Sequence, residues 1–378
     1  MRIGIDVRYL SHGLMGGVHT YVENFVPALL AQADGHEVYL YADTKCPLEL
    51  GDLPKDKRIV VRNVPWRTSL SSLYHDLFYL GKIMENDRLD IAHFPANYGF
   101  GPSNARTVIT LHDAINVMPW QKIIEGHPKN IRTISKMTYL HWCSTAAVRR
   151  AKMLITVSEY ARTQIARYTQ IDPQRIVPIH HAPTPDLKCV TDAATIATTR
   201  QRYQLDKPFI LADALKNPAV IVRAWRLLPD HLRASYQIVF FSRRPDPLPI
   251  VHQAVEDGAA RLLIAPSRQE LGVLYSCAEA FVFPSWIEGF GIPILEAMTC
   301  GAPVIASNRG AIPEVAGEAA LLMDAEDETA LARFLKLILT EPPQAHQLRQ
   351  KGFERASQFS WRNTASRILE TYQFAMTI

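Results

Sequence analysis

The chain lacks long apolar runs, paired cysteines and a strong excess of charge, and each absence excludes a class of protein. No stretch of its 378 residues approaches about 18 consecutive apolar residues, and Met1 leads directly into a strand pattern, so we expect neither a transmembrane helix nor a secretory signal. Its five cysteines are widely spaced, which favours a reducing cytosol. A net charge of +4 without a nucleic-acid-binding motif argues against DNA or RNA as a partner.

The residues that are present indicate a folded protein of about two domains. Hydrophobic residues make up 48% and charged residues 21% of the chain, and its length exceeds a single core of roughly 100–200 residues. Residues 1–185 carry 21 Lys and Arg against 16 Asp and Glu, whereas the remainder carries 20 against 21. The more basic first half favours anionic lipid head groups or phosphorylated ligands.

Short runs rich in Val and Ile alternate with helical patterns throughout, which is typical of parallel sheets built from βαβ units. Helix patterns in the first half cover about 18–33, 68–86, 130–150 and 158–168. The predicted strands are RIGIDVRYL, HEVYLYA, RIVVRNV, DIAHFP, TVITLHD, MLITVS and RIVPIHHA in the first half, then PFILADA, YQIVFFS, RLLIAP, AFVFPS, PVIASN and AALLMDA.

The alternation breaks at HHAPTPDLKCV, residues 180–190, which we interpret as an interdomain linker. We therefore predict an N-terminal Rossmann-like domain over 1–182 and a C-terminal one over 186–361. The segment of about 362–378 is expected to return to the first domain as a helix. Because ligands of open α/β sheets bind beyond the carboxyl ends of the strands, we expect the two domains to face each other across a binding cleft.

The stretch EGFGIPILE, Glu288 to Glu296, combines two carboxylates with two glycines and a proline. It follows a predicted buried strand, and Pro293 and Gly301 suit the start and the end of a helix. A helix start with nearby glycines suits a phosphate, and carboxylates suit vicinal sugar hydroxyls. The pattern therefore predicts a site for an elongated ligand with a sugar, a diphosphate and a ribose. A glycine turn with a carboxylate that stabilises the helix dipole is the simpler alternative.

The segment PSWIEGFGIPILEAMTCGAPVIASNRGAIPEVAGEAALLMDAED resembles the donor-site segment of the retaining GT-B glycosyltransferases of family GT4, whose motif is two glutamates separated by seven residues. The resemblance is specific over about residues 265–330. It implies the GT-B fold, in which two doubly wound Rossmann-like domains face across a cleft and a C-terminal helix crosses back to the first domain.

The resemblance also implies roles for individual residues. Glu288 would contact hydroxyls of the donor sugar, Glu296 the nucleotide ribose, and His112, at the end of TVITLHD, the region of the donor sugar. A structural pair of His112 with Asp113 is the alternative for that histidine. The remaining donor-binding candidates supply backbone or phosphate contacts and are Gly16, Gly17, Lys216, Gly289, Phe290 and Gly291. Ser158 also matches a family position, although a helix N-cap explains it fully.

The chain departs from the family pattern at PFILADALKNP. The family usually has an arginine and, about six positions later, a lysine that together hold the diphosphate; only the lysine, Lys216, is matched here. Arg243, Arg244 and Arg309 follow strands of the same sheet and are the candidates to replace the arginine, with a solvated loop residue as the alternative for each. Glu314, in the same loop as Arg309, is open to a structural interpretation.

The resemblance implies a retaining transfer of a hexosyl or deoxyhexosyl unit from a nucleotide diphosphate sugar to a glycan or lipid-linked glycan acceptor. We expect no cofactor and no required metal, since no Asp-x-Asp motif is present. In the absence of a carboxylate placed to form a covalent intermediate, we expect the leaving diphosphate to accept the acceptor proton. The expected location is the cytoplasm. Aromatic and basic stretches at 66–84 and 119–153 suit either peripheral contact with the inner membrane face or ordinary amphipathic core helices.

Two other function classes remain open from the sequence. One is a non-catalytic nucleotide-sugar-binding or partner protein of the same fold, which the missing arginine makes conceivable. The other is an epimerase or a phosphorylase of similar architecture. A phosphorylase would need pyridoxal phosphate on a lysine, which absorbance would reveal, and an epimerase would need no acceptor.

Overall fold

The computed structural model describes residues 1–12, 16–45, 48, 58–65, 74–125, 129–246 and 248–378. Within them the chain divides into two units, one made of residues 1–181 and 361–378 and the other of residues 182–360. Each unit contains one all-parallel sheet. Within the described ranges, no helix has the length and apolar character required to cross a bilayer.

The sheet of the first unit has seven strands in the order β3-β2-β1-β4-β5-β6-β7. The strands are β1 Arg2–Asp6, β2 Glu37–Asp43, β3 Ile59–Val64, β4 Ile91–Phe94, β5 Arg106–Leu111, β6 Met153–Thr156 and β7 Ile176–Pro178. The helices between them are α1 Gly17–Leu30, α2 Leu80–Asn86, α3 Trp120–Glu125, α4 Ile131–Arg150 and α5 Glu159–Thr169. The central strands are short, apolar and buried because helices of a doubly wound sheet cover both faces.

The sheet of the second unit has six strands in the order β10-β9-β8-β11-β12-β13. The strands are β8 Phe209–Asp213, β9 Gln237–Ser242, β10 Ala260–Ile264, β11 Ala280–Phe283, β12 Val304–Ser307 and β13 Ala320–Met323. The helices are α6 Ala193–Arg202, α7 Pro218–Arg226, α8 Asp230–Ser235, α9 Pro249–Glu256, α10 Arg268–Cys277, α11 Ile292–Thr299, α12 Ile312–Ala316, α13 Glu328–Thr340 and α14 Pro342–Ser357. Every strand core predicted from the sequence forms in the two sheets.

Two predicted boundaries differ in the structure. The predicted strand RIGIDVRYL ends at Asp6 and continues as a 3₁₀ turn over Arg8–His12. The Arg8 guanidinium pairs with the Asp6 carboxylate at 2.8 Å and with Asp76 at 2.9 Å, which fixes the turn. Of the predicted helix 68–86, residues 68–73 lie outside the described ranges. The remainder includes a π-helical turn over His75–Tyr79 before α2.

The last helix, α15 Trp361–Thr377, belongs to the first unit and packs against α1. The Ser366 hydroxyl donates to Gln32 Oε1 at 2.6 Å, and the Thr364 hydroxyl donates to the carbonyl of His180 at 2.7 Å. Eight of its residues are buried, at the three- and four-residue spacing of an amphipathic helix. The chain therefore leaves the first unit after residue 181 and completes it from residue 361.

Four of the five cysteines lie in the described part of the chain and have free thiols. Cys143 and Cys300 are buried, whereas Cys189 and Cys277 are half-buried. Burial raises the pKa of Cys143 and Cys277 to about 11, so both side chains are neutral thiols near pH 7. Cys46 lies outside the described residues.

His93 is a fully buried histidine of the first unit, and both of its ring nitrogens form hydrogen bonds. Nε2 lies 2.8 Å from the Thr110 hydroxyl, and Nδ1 lies 2.6 Å from the Tyr372 hydroxyl of α15. Burial lowers the pKa of His93 to about 3, so the ring is neutral in the folded protein. His93 thereby links α15 to the sheet of the first unit through hydrogen bonds on both sides of its ring.

We predict that the stability of the first unit decreases as the pH falls below about 6.5. Histidine in the unfolded chain takes up a proton near pH 6.5, whereas His93 in the folded protein does so only near pH 3. Between these two pH values the unfolded state binds more protons, so the free energy of unfolding decreases as the pH falls from about 6.5 to about 3. Each such histidine contributes a slope of about 1.4 kcal/mol per pH unit to the free energy of unfolding. Urea unfolding at several pH values would measure it.

His93→Gln removes the titrating group but keeps a donor and an acceptor for Thr110 and Tyr372, so the slope should fall by about 1.4 kcal/mol per pH unit. His231→Gln, at an exposed position, is the matched control and should leave the slope unchanged. Equal slopes for wild type and His93→Gln between pH 6 and 4 would contradict the assignment.

Candidate functional site

Two predicted site residues of the second unit, Lys216 and Glu288, lie on turns that follow neighbouring strands, and a third turn of this kind contains Gly310. Lys216 lies between β8 and α7, Glu288 between β11 and α11, and Gly310 between β12 and α12. Strands β8, β11 and β12 are adjacent and parallel, so these turns leave the same edge of the sheet. Residues 72 positions apart in sequence are thereby brought into contact.

Lys216 and Glu288 form an ion pair at this edge. Lys216 Nζ donates to Glu288 Oε1 at 2.7 Å, and the Ser285 hydroxyl donates to the same oxygen at 2.8 Å. The Lys216 side chain is 35% exposed and the Glu288 side chain 16% exposed. A cation and an acceptor oxygen therefore lie within about 3 Å of each other at a position that solvent reaches.

The turn from β8 to α7 positions Lys216. The backbone N–H of Leu215 donates to Asp213 Oδ1 at 2.8 Å, and that of Lys216 donates to the Asp213 carbonyl at 3.1 Å. Asn217 has a left-handed backbone with φ 52°, and its side-chain amide donates to the carbonyls of Pro284 and Ala325 at 3.2 and 2.7 Å. Asparagine tolerates this conformation, and its amide ties the turn to the end of β11.

The backbone at Glu288 is held by the next turn along the sheet. The N–H of Ala311 donates to the carbonyl of Glu288 at 3.0 Å. Gly310 has φ +63°, and a Cβ at this position would lie 2.5 Å from the Glu288 carbonyl oxygen and 2.8 Å from its nitrogen. Only glycine permits so close an approach of the two backbones. The Ser307 hydroxyl adds a hydrogen bond of 2.6 Å to the Ser285 carbonyl.

The glycine turn before α11 has the conformation predicted from the sequence. Gly291 is the N-cap residue with φ 101°, and Pro293 lies in the first turn of the helix. Phe290 is buried and forms an edge-to-face contact with Phe359, with ring centroids 6.0 Å apart. The aromatic side chain thus anchors the loop. The helix start supplies N–H groups that suit an anion.

Glu296 lies one turn inside α11, and its carboxylate is largely enclosed. The Thr184 hydroxyl, from the linker segment, donates to Glu296 Oε1 at 2.7 Å. Burial raises the pKa of Glu296, whereas the Thr184 hydrogen bond and the positive charges of Arg243 and Arg268 act in the opposite direction. Thr184 occupies Oε1 and so orients the second oxygen for another donor.

His112 follows β5 in the first unit, and one of its ring nitrogens has no hydrogen-bond partner among the described residues. Its Nε2 donates to the carbonyl of Pro95 at 2.8 Å, because a carbonyl can only accept. Burial lowers the pKa of His112 to about 4, so the ring is neutral near pH 7 and Nδ1 is an acceptor. The backbone N–H of His112 donates to Asn97 Oδ1 at 2.9 Å, which fixes the residue at the strand end.

Gly16 and Gly17 lie at the start of α1. Gly16 is the N-cap residue, and its carbonyl accepts from the N–H of Thr20 at 3.0 Å. A Cβ added at either glycine would meet nothing within 4 Å, so packing within the described residues does not require glycine there. The preceding Leu14 and Met15 of the predicted motif lie outside the described residues.

The structure distinguishes the basic residues proposed to replace the missing arginine. Arg309 pairs with Asp324 at 2.8 Å. Arg243 and Arg244 follow β9 and are exposed.

The carbonyl of Glu314 accepts from Arg355 at 2.6 Å. Ser158 is the N-cap of α5, and its hydroxyl accepts from the N–H of Ala161 at 3.0 Å, as the simpler interpretation predicted.

Three residues that shape the site were not found from the sequence. Ser285 binds Glu288, Thr184 binds Glu296, and Gly310 accommodates the backbone of Glu288. Ser285 and Gly310 follow predicted strands directly, and that position was the available signal. Thr184 lies in a proline-rich linker, where the sequence gives no indication of its partner. In the described part of the chain, no group of three His, Cys, Asp or Glu residues is arranged to hold a metal ion.

Two family models match this chain. The model described as "Glycosyl transferases group 1" matches residues 212–355, which contain Lys216, Glu288 and Glu296. The model described as "Glycosyltransferase Family 4" matches residues 15–186, which contain Gly16, Gly17 and His112. The two matches together cover both units.

The chain is also similar to individual proteins of known name. It is 31% identical over 302 residues to "O-antigen chain mannosyltransferase B" of Escherichia coli, and the match covers 76% of this chain and 75% of the relative. A sucrose-phosphate synthase structure from Thermosynechococcus elongatus matches 99% of this chain and 98% of its own at 20% identity, with a TM-score of 0.73. Anabaena HepE, solved in complex with UDP-glucose, matches 99% of both chains at 16% identity and a TM-score of 0.69. The structural matches confirm the predicted GT-B fold.

We predict that Gly310→Ala destabilises the protein far more than Gly258→Ala. Both glycines have positive φ, of +63° and +71°, so alanine at either costs about 1–2 kcal/mol of backbone strain. At Gly310 the new Cβ would also overlap the Glu288 backbone, whereas at Gly258 it would meet nothing within 4 Å. The free energies of unfolding from urea titration would measure the difference. Equal losses for the two variants would contradict the close approach at Glu288.

Proposed function

The chain belongs to the family of glycosyl transferases group 1, and on that premise we propose that it moves a hexosyl or deoxyhexosyl unit from a nucleotide diphosphate sugar to an acceptor hydroxyl with retention of anomeric configuration. The acceptor is a growing polysaccharide or a lipid-linked oligosaccharide. The name of the E. coli relative supports this acceptor class and makes mannose the first hexose to test.

The observation that carries the proposal is the Lys216–Glu288 pair. In a nucleotide sugar the sugar hydroxyls and the diphosphate are neighbours, joined through the anomeric carbon. A site for that junction needs an acceptor for hydroxyls beside a cation for phosphate, and the two groups lie 2.7 Å apart here. We assign Glu288 to the sugar hydroxyls and Lys216 to the diphosphate. The pair must loosen when the donor binds, which partial exposure of both side chains allows.

The remaining donor contacts follow from α11 and the turn before it. The backbone of Gly289, Phe290 and Gly291 and the start of α11 are assigned to sugar and phosphate oxygens. Glu296 is assigned to the ribose hydroxyls through the oxygen that Thr184 leaves open. This assignment explains why a carboxylate is kept in an enclosed position at the cost of a raised pKa.

Two features of the first unit are assigned to the same donor. The Nδ1 atom of neutral His112 is a hydrogen-bond acceptor for a hydroxyl of the donor sugar. Gly16 and Gly17, whose Cβ positions are open, allow a diphosphate to approach the start of α1.

In the proposed reaction the acceptor oxygen bonds to the anomeric carbon as the bond from that carbon to the diphosphate oxygen breaks. The acceptor proton passes to the leaving diphosphate on the face from which it departs, which retains the anomeric configuration. Lys216 and the N–H groups at the start of α11 stabilise the charge that develops on the diphosphate. His112 and Glu288 hold the sugar in place during this step.

The acceptor side is assigned to the first unit, with peripheral contact to the inner membrane face. Helix α4 exposes Ile131, Ile134 and Trp142, which are 84%, 36% and 56% exposed, on a helix that also exposes Arg132 and Lys136. Exposed apolar side chains beside cations suit an anionic lipid surface. Residues 66–73 and 126–128 of the two basic, aromatic stretches lie outside the described residues.

We predict that the protein consumes one donor from a panel of UDP-, GDP-, ADP- and dTDP-linked sugars, mannose among them, with membrane extract as acceptor. Glu288→Ala and Lys216→Ala should each lower kcat/KM by about 10- to 100-fold, since a charge-assisted hydrogen bond contributes about 1.5–3 kcal/mol. Glu318→Ala and Lys207→Ala, at exposed positions, are the matched controls and should retain wild-type activity.

The same reactions separate the competing functions. A protein that binds a nucleotide diphosphate but consumes no donor would support the non-catalytic alternative. Conversion of a donor sugar without any acceptor would indicate an epimerase. NMR of the product gives its anomeric configuration, and an inverted product would overturn the proposed retaining mechanism.

We predict that transfer does not require a divalent metal. The charge of the diphosphate is assigned to Lys216 and backbone N–H groups, so activity after dialysis against EDTA should stay within about twofold of the untreated enzyme. Readdition of Mg²⁺ or Mn²⁺ serves as the control for reversible inhibition. Loss of activity with EDTA that either ion restores would show that a metal carries part of the phosphate charge.

A further inference from the structure

The proposed donor site contains too little positive charge for a diphosphate if Lys216 acts alone. Lys216 is already paired with Glu288 at 2.7 Å, and the carboxylates of Asp213 and Glu296 lie in the same group of charges. Asp213 ends β8, and burial raises its pKa, partly opposed by the Leu215 N–H, Lys216 and Arg243. Two carboxylates, Asp213 and Glu288, lie beside the single lysine and would repel an anionic ligand, so another cation is needed.

The other two arginines predicted as replacements, Arg244 and Arg309, have different surroundings. Arg309, which follows β12, forms an ion pair with Asp324 at 2.8 Å. Arg244 has its backbone N–H and carbonyl bound to the Ser242 hydroxyl at 3.1 and 2.8 Å. Neither guanidinium forms a hydrogen bond or ion pair with Asp213, Glu288 or Glu296 in the described part of the chain.

Arg243 is the basic residue whose position and charge fit. It directly follows Ser242, the last residue of β9, and β9 pairs with β8 so that Phe241 lies opposite Asp213. The Ala214 N–H donates to the Phe241 carbonyl at 2.9 Å, which extends the pairing to the start of the Lys216 turn. Arg243 therefore lies at the same edge of the sheet as Lys216, on the turn that follows the adjacent strand β9.

The positive charge of Arg243 acts electrostatically on the carboxyl groups of Asp213 and Glu296 and on the buried Tyr275 hydroxyl of α10. Its side chain is exposed, and it forms no hydrogen bond or ion pair with another residue in the described ranges. It thus lies close enough to the donor site to act on it electrostatically while its five N–H groups remain available to a ligand.

We propose that Arg243 is a donor-binding residue, and that its guanidinium together with Lys216 holds the diphosphate of the nucleotide sugar. This inference rests on the proposed function. It assigns the second cation of the site to the turn after β9. The family resemblance would instead place that cation at the end of β8. A guanidinium fork suits two oxygens of a phosphate, as a single ammonium does not.

The test measures nucleotide affinity in place of turnover. Calorimetry with UDP, GDP, ADP and dTDP identifies the diphosphate that wild type binds, and competition against it gives the affinity of the matching nucleoside. Arg243→Ala should raise the Kd for the diphosphate about tenfold or more and leave the Kd for the nucleoside within about twofold. Arg243→Lys should recover part of the loss, and the matched control Arg244→Ala should bind like wild type.

The other outcomes each overturn a distinct claim. Unchanged diphosphate affinity in Arg243→Ala would remove Arg243 from the site. Equal losses for nucleoside and diphosphate would show that Arg243 acts only through Glu296 and the ribose, and would also overturn the inference. Failure of wild type to bind any of the four diphosphates would overturn the proposed function together with this inference. Melting temperatures of the unliganded variants, expected to match wild type, exclude misfolding as the cause.

Discussion

The ion pair between Lys216 and Glu288 is the contact on which the interpretation of the second unit depends. It exists because three parallel strands, β8, β11 and β12, deliver their turns to one edge of the sheet. A partly exposed ion pair of this kind contributes only about 0–1 kcal/mol to stability. Ser285, Asn217 and Gly310 hold the geometry that places the two charges beside each other, although the pair itself adds little to stability. Such an arrangement suits a ligand whose uncharged and anionic parts adjoin.

Much of this architecture was predictable from local sequence. The strand cores are runs of Val, Ile and Phe, and the turn before α11 is marked by glycine, proline and two glutamates whose spacing fixes their places on a loop and a helix. The contacts that complete the site were not predictable in this way. Thr184 and Glu296 are 112 residues apart in the sequence. The requirement for glycine at position 310 becomes apparent only from its close contact with the backbone of Glu288. Partners of this kind depend on the packing of the whole unit.

The histidines at the ends of β4 and β5 show how the structure separates structural from functional candidates. His93 and His112 are both buried and neutral, with pKa values lowered to about 3 and about 4. Both ring nitrogens of His93 form hydrogen bonds within the first unit, one with Thr110 and one with Tyr372 of α15. Neither nitrogen is therefore available to a ligand. His112 uses one nitrogen on the carbonyl of Pro95, and its other nitrogen accepts from no residue in the described ranges. The unused acceptor, more than the shifted pKa, is the observation that supports the proposed role of His112 as a ligand contact.

The proposed role of Arg243 depends on a general property of parallel sheets. Adjacent strands lie about 4.8 Å apart, and their carboxyl ends share one edge, so a long side chain from the turn after β9 can reach the region served by the turn after β8. The diphosphate fixes the amount of positive charge required but not the strand that supplies it. A shorter turn after β8 can therefore keep Lys216 alone, provided that a neighbouring turn presents an unpaired guanidinium. The register of Asp213 with Phe241 places Arg243 at such a turn.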